Sequence, residues 1–242
     1  MIGILSLYYR NHNYGGQLQA AALQKCIQDL NPRQDVLQVS YVRPSSVSSI
    51  SARFKKIGLT NSAQIAGAKA AYKLKMKLDR KMASGVEVRD ALFELFADKI
   101  PHTEPVTESD LPKLDMSLFV VGSDQVWTLQ AGRDVFLARF PTSAKKVSYA
   151  ASMGGLNPNL QDDHLLIDSL DSFSGISLRE HNSFEHIRHI MPNSHVELVV
   201  DPTLLLSPSD WRCFANQEVV PSEPYLFVYA LGEKTPYMKS IY

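Results

Sequence analysis

A chain of 242 residues, 45% hydrophobic and 21% charged, is long and apolar enough for one large domain, or one domain and part of a second, around a real core. Its 25 Lys+Arg balance its 25 Asp+Glu, so no global basic field argues for nucleic acid as a partner. Cys26 and Cys213 lie far apart in helix-like stretches and read as reduced core residues, not as a disulfide or zinc framework.

Met1–Tyr8 is apolar but too short for a signal peptide and lacks a basic start; with no later run approaching a membrane span, the expected compartment is the cytoplasm. Ile2–Leu7 has the look of a buried parallel strand. A turn over Asn11–Gly16 leads to a helix over Gln17–Leu30, ended by Pro32, and Asp35–Tyr41 is a second strand. This β-turn-α-β opening is the start of a doubly wound, Rossmann-like domain with helices on both faces of a parallel sheet. Residues 43–100 then break the rhythm as a loop and helical insertion. Pro44–Ser51 is serine-rich, and Asn61–Met82 is helical with Gly67, Ala71, Leu74, Leu78 and Met82 along one stripe. Glu87–Ala97 is a further helix whose Val88, Leu92, Leu95 and Phe96 are expected to pack inward.

Within that insertion, Arg53–Lys81 holds nine basic residues against one acid, Asp79. Two readings stand: an amphipathic cationic segment around 53–82 resting on anionic lipid at the inner membrane face, or a solvated insertion with its lysines outward. The modest apolar stripe favours the second.

The alternation resumes with strands at Leu118–Val121, Lys146–Ala150, Gly175–Leu178 and Val196–Val200, separated by helices at Leu160–Leu170 and Ser183–Ile190. A last helix starts at Ser207 or Ser209, Pro221–Pro224 reads as a linker, and Tyr225–Gly232 as a new strand. The expected division is a first domain over 1–220 and the start of an incomplete second domain over 225–242.

Ligands of α/β sheets bind beyond the carboxyl ends of the strands, and four such ends here carry polar or small residues: Asp124, Ser152, Arg179 and Asp201. In Val120–Trp127, Gly122 and Ser123 permit close backbone approach, and Asp124 presents an acid or base, or else caps its own turn. Asn13, Tyr14, Gly15 and Gly16 precede a helix and offer N–H groups to an anion, although Asn13 also suits an N-cap and Tyr14 either a sugar ring or its own core. Arg179 can fork onto a carboxylate or phosphate, or pair with Glu180 or another rim acid. Asp201, before Pro202, reads as a turn residue. His181, His186 and His189 cluster in sequence, but no His-Glu-x-x-His accompanies them and no metal is expected.

Taken in order, Asn13–Ala20, Val121–Trp127, Ser148–Ser152, Ile176–Glu180, Val200–Leu206 and Trp211 resemble the polysaccharide pyruvyl transferase family. The resemblance implies the first half of a two-domain fold like that of the GT-B glycosyltransferases. It also implies transfer of a pyruvyl group from phosphoenolpyruvate, as donor substrate and without a further cofactor, to two hydroxyls of a sugar. The acceptor would belong to a surface polysaccharide or its precursor, lipid-linked in one version. Asp124 and Arg179 are the candidate catalytic residues; Asn13, Tyr14, Gly15, Gly16, Gly122, Ser123, Gln125, Trp127, Ser152 and Glu180 are the candidate substrate contacts. Thr128 stands where family members often have Asn, and the family's arginine- and histidine-bearing second half is expected to be largely missing, leaving a truncated and inactive chain as one expectation. Two rival readings are a sugar-nucleotide glycosyltransferase of similar build and a non-catalytic fragment that binds a saccharide or partner.

Overall fold

The computed structural model describes residues 1–43, 80–128, 133–154, 160–216, 218 and 220–227. The helix expected over 61–82 falls outside the described residues up to position 79, as does the strand expected at 225–232 beyond position 227. The chain divides into two compact units, Met1–Leu206 and Ser207–Tyr242. In the second, a short helix at Pro208–Arg212 is closed by a capping box between Ser207 and Asp210.

The first unit is built on parallel strands β1 (Ile2–Leu5), β2 (Val36–Gln38), β3 (Leu118–Val121) and β4 (Lys145–Ser148), in the order β2-β1-β3-β4. A parallel pair, β5 (Ile176–Leu178) and β6 (Val196–Leu198), joins β4 through bridges at Val147–Gly175 and Ala151–Leu178. Strand order reverses between β1 and β3, which is where an open parallel sheet forms its ligand crevice.

Both faces of the sheet are covered, as the period-2 alternation of side chains demands. Ile2, Ile4 and Val120 pack on one face with Leu23 of α1 (Tyr14–Leu30). Leu5, Phe119 and Val121 pack on the other with Leu166 and Leu170 of a helix at Leu160–Leu170. Gly3 belongs to that second face, where an added Cβ would lie 3.1 Å from the Phe119 ring. No described helix is long and apolar enough to cross a membrane.

Between β4 and β5 two buried serines replace part of the peptide ladder. Ser177 N donates to Ser148 Oγ (2.9 Å) and Ser177 Oγ to Ser148 O (2.8 Å). Ser148 Oγ donates in turn to Ser177 O (3.2 Å), and Ala150 N to Ser177 Oγ (3.3 Å). The hydroxyls thereby satisfy backbone groups that a pure ladder would have paired.

Three expectations are corrected. Helix α1 starts at Tyr14 instead of Gln17, because the Asn13 side chain caps Gly16 N (3.0 Å) and draws both glycines into the first turn. The next helix among the described residues, α2 (Arg80–Ala97), turns a different edge inward: Phe93 is 6% exposed, whereas Val88, Leu92 and Leu95 are 58%, 61% and 61% exposed. The cause is its docking partner, the loop before α1. His12 stacks on Phe93 (5.6 Å between ring centres) and reaches Asp90 Oδ1 (3.1 Å) and Glu94 Oε1 (2.8 Å), while the Tyr14 ring lies 4.7 Å from Phe93. Finally, Cys213 is exposed and Cys26 only half-buried, so neither is a core residue.

Tyr8, in the β1–α1 loop, is buried, its hydroxyl 3.1 Å from Ser40 Oγ. Burial pushes its phenol up to about 12, with the Ser40 hydrogen bond partly offsetting this. Between about pH 10, where an unfolded tyrosine titrates, and about 12, the unfolded state binds fewer protons and stability falls as pH rises. Urea titrations at about pH 9 and about pH 11 should therefore show an alkaline loss of stability that Tyr8→Phe reduces. A residual slope should remain from Tyr41 and Tyr149, whose phenols burial also raises.

Candidate functional site

The turn after β3 is shaped by its neighbour. Gly122 has φ +133°, and a Cβ there would fall 2.1 Å from the Tyr149 carbonyl oxygen, so only glycine fits. Asp124, at φ 65°, is held through its own carbonyl, which accepts from Val126 N (2.8 Å) and Ser152 N (3.0 Å). Its carboxylate is half-exposed and accepts no hydrogen bond among the described residues, so it does not cap the turn. Instead it faces the amino end of α1: a Cβ on Gly16 would lie 3.4 Å from Asp124 Oδ2 and 3.0 Å from Asn11 Nδ2. Asn11 is fixed there by donating to Leu7 O (2.7 Å). The small side of Gly16 leaves space for a carboxylate at the positive end of the helix.

A second group of charges lies at the ends of β5 and β6. Arg179 Nε donates to Glu180 Oε1 (2.9 Å) and Nη1 to Asp201 Oδ2 (2.9 Å). Asp201 Oδ1 accepts from Thr203 N (2.9 Å) and Thr203 Oγ1 (2.7 Å), closing the Pro202–Leu204 turn. Burial works against the charge on Asp201, but the Thr203 hydrogen bonds and the Arg179 guanidinium outweigh it and hold its carboxyl below the usual range. Burial likewise disfavours the Arg179 cation, and its hydrogen bonds to Asp201 and Glu180 reverse the sign. Among the described residues, Arg179 Nη2 has no protein partner, and Glu180 Oε2 is buried without one.

Gln19 of α1, which sequence reading did not single out, connects the two groups. Its Nε2 donates to Asp201 Oδ2 (2.6 Å), and its Oε1 accepts from the buried Ser123 hydroxyl (3.0 Å). This role has no distinct trace in the sequence, because Gln17, Gln24 and Gln28 are amides of the same helix.

Asn13, Tyr14, Gly15, Gly16, Gly122, Ser123 and Asp124 thus gather at the β1/β3 crevice, with Arg179 and Glu180 joined to them through Gln19 and Asp201. Gln125 is exposed. Two candidate contacts are corrected. Trp127 is 3% exposed in the core, its indole N–H donating to Phe136 O (3.0 Å), and offers no surface to a substrate. Ser152 is fully buried and supports its own turn, its Oγ accepting from Gly154 N (3.0 Å).

Beside the amino end of α1, a cavity of about 250 Å³ opens between α1 and α2, walled by Tyr14, Leu18, Leu92, Phe93 and Phe96. His186 pairs with Asp163 (2.8 Å), and no cluster that could hold a metal occurs among the described residues.

A family model described as polysaccharide pyruvyl transferase matches residues 13–241, nearly the whole chain. No curated protein and no solved structure matches it.

Two outcomes follow for stability. Gly122→Ala should cost on the order of 3 kcal/mol in urea unfolding, because the Tyr149 carbonyl cannot move without disturbing β4. For Asp201, a lowered folded pKa means stabilisation that is present above about 3.9 and is lost as pH falls through the folded value. Asp201→Asn should therefore be less stable than the parent at about pH 6, with the gap narrowing in urea titrations near pH 3.

Proposed function

The chain belongs to the polysaccharide pyruvyl transferase family, and from that premise we propose that it moves a pyruvyl group from phosphoenolpyruvate onto two hydroxyls of a sugar, forming a cyclic ketal and releasing inorganic phosphate. The observation that carries this reading is the Asp124 carboxylate, unpaired among the described residues, beside Gly16 at the amino end of α1.

The reaction needs an acid, a stabiliser of positive charge and a place for a leaving anion. Asp124 in its acid form gives a proton to the methylene carbon, whose π pair forms the new C–H bond. Positive charge develops at the carbon bearing the phosphate oxygen, next to the carboxylate so generated. A sugar hydroxyl attacks that carbon and loses its proton to Asp124. The carbon–oxygen bond to phosphate then breaks with its electron pair. The second hydroxyl closes the ketal, its proton leaving with phosphate.

Arg179 is proposed to contact the donor's carboxylate or phosphate through Nη2, its other nitrogens being committed to Glu180 and Asp201. At the amino end of α1 the Asn13 side chain takes Gly16 N, and the N–H groups before it are proposed to receive the phosphate. No further cofactor and no metal is proposed. The acceptor is proposed to be a sugar of a surface polysaccharide or its precursor, met in the cytoplasm or at the inner membrane face. The exposed Val88, Leu92 and Leu95, close in sequence to the basic 53–82 stretch, support a lipid-linked form of it.

The double ion pair favours one competing role for Arg179, that of a structural clamp on Asp201 and Glu180. Titration with phosphoenolpyruvate, followed by NMR and by release of phosphate with an acceptor sugar, separates the possibilities. Asp124→Asn should retain donor binding and lose turnover by about 100-fold or more. Arg179→Ala should weaken donor binding about tenfold or more if it touches the donor, and leave binding intact if it is a clamp. Saturable binding of a nucleotide-sugar with none of phosphoenolpyruvate would overturn the reading in favour of glycosyl transfer.

A further inference from the structure

We propose that Gln19 is a positioning residue that holds the Asp124 turn at a fixed spacing from the Arg179–Asp201 pair. The activity part of this inference rests on the pyruvyl-transfer reading; the geometry does not.

The orientation of the amide is settled by its partners. The Asp201 carboxylate only accepts, so Nε2 must face it, and Oε1 is left to accept from Ser123. Ser123 is buried and directly precedes Asp124 in the turn. Asp201 Oδ2 is shared between Gln19 and Arg179, while Oδ1 is filled by Thr203. A continuous side-chain path therefore runs Ser123–Gln19–Asp201–Arg179–Glu180, with Gln19 as its middle link. It supplements a backbone route in which Ser152 N donates to Asp124 O (3.0 Å) and Arg179 N to Ala151 O (3.3 Å).

Glutamine is the side chain this bridge requires. It offers a donor to the carboxylate and an acceptor to the hydroxyl at the same time. Asparagine is one methylene too short to span both. Glutamate keeps the Ser123 contact but sets a second carboxylate against Asp201, pushing apart the groups that hold Arg179. Methionine keeps the bulk and removes both bonds, leaving the buried Ser123 hydroxyl without its acceptor.

The test compares the parent chain with Gln19→Met, Gln19→Glu and Ser123→Ala in three readouts: kcat and KM for phosphoenolpyruvate, thermal unfolding, and NMR of the Arg179 Nε–H and the Ser123–Gln125 amides. Gln19→Met should lower kcat on the order of 10- to 100-fold, with a smaller change in KM. It should also speed exchange of the Arg179 Nε–H and shift the turn amides, while the protein stays folded. Gln19→Glu should slow the enzyme at least as much. Combined with Asp201→Asn, Gln19→Met should add far less than its separate effect, since both cut one path. An unchanged kcat in folded Gln19→Met overturns the inference, and so does full additivity in the double variant. Should Gln19→Met not fold, Ser123→Ala cuts one end of the bridge and is judged by the same outcomes. If the parent chain shows no pyruvyl transfer, the functional reading fails. Gln19 is then judged by NMR alone, and unchanged Arg179 and turn signals in a folded variant overturn it.

Discussion

Four hydrogen-bond donors converge on the carboxylate of Asp201, and the carboxyl edge of the sheet is organised around that point. A half-buried carboxylate is costly unless its lone pairs are filled, and here each filling group comes from a different requirement. Thr203 closes the turn after β6. Arg179 brings in the end of β5, and Gln19 brings in α1 and, through Ser123, the end of β3. Chain segments far apart in sequence are thus drawn to one ionised group, which is why the strand ends act as a single rim.

Asp124 differs from these partners in being left out. Its backbone is secured by Val126 and Ser152, while its carboxylate stands unpaired among the described residues. It faces Gly16 and Asn11 at the amino end of α1 instead. Arg179 lies at the other extreme, with two carboxylates already on its guanidinium. The same rim therefore contains one carboxylate without a hydrogen bond among the described residues and one guanidinium held by two carboxylates.

Much of this architecture was legible from residue patterns. The short apolar run Leu118–Val121 reads as a buried strand and Gly122 as the turn behind it, whereas the Tyr149 carbonyl that forbids a Cβ there is not legible. The inward edge of α2 was not legible. Its apolar residues wrap far enough round the helix to suit two edges, and the choice fell to Phe93 because His12 pairs with Asp90 and Glu94 on either side of it. Trp127 and Ser152 were misread for a similar reason: proximity to a turn does not say which way a side chain points. Gln19 escaped notice because its partners lie 104 and 182 positions away, and no local pattern encodes such a bridge.

The serine stitch between β4 and β5 has a bearing on how the rim is held. It sits inside a junction that keeps peptide bonds of its own: Ser148 N donates to Gly175 O (3.0 Å), Ala151 N to Ser177 O (3.1 Å) and Arg179 N to Ala151 O (3.3 Å). The two hydroxyls fill the gaps in that ladder, and without Ser148 Oγ the buried Ser177 N would lose its acceptor. Gln19 spans the same interval with a side chain, so the Asp124 turn and Arg179 are braced twice, once through the sheet and once above it.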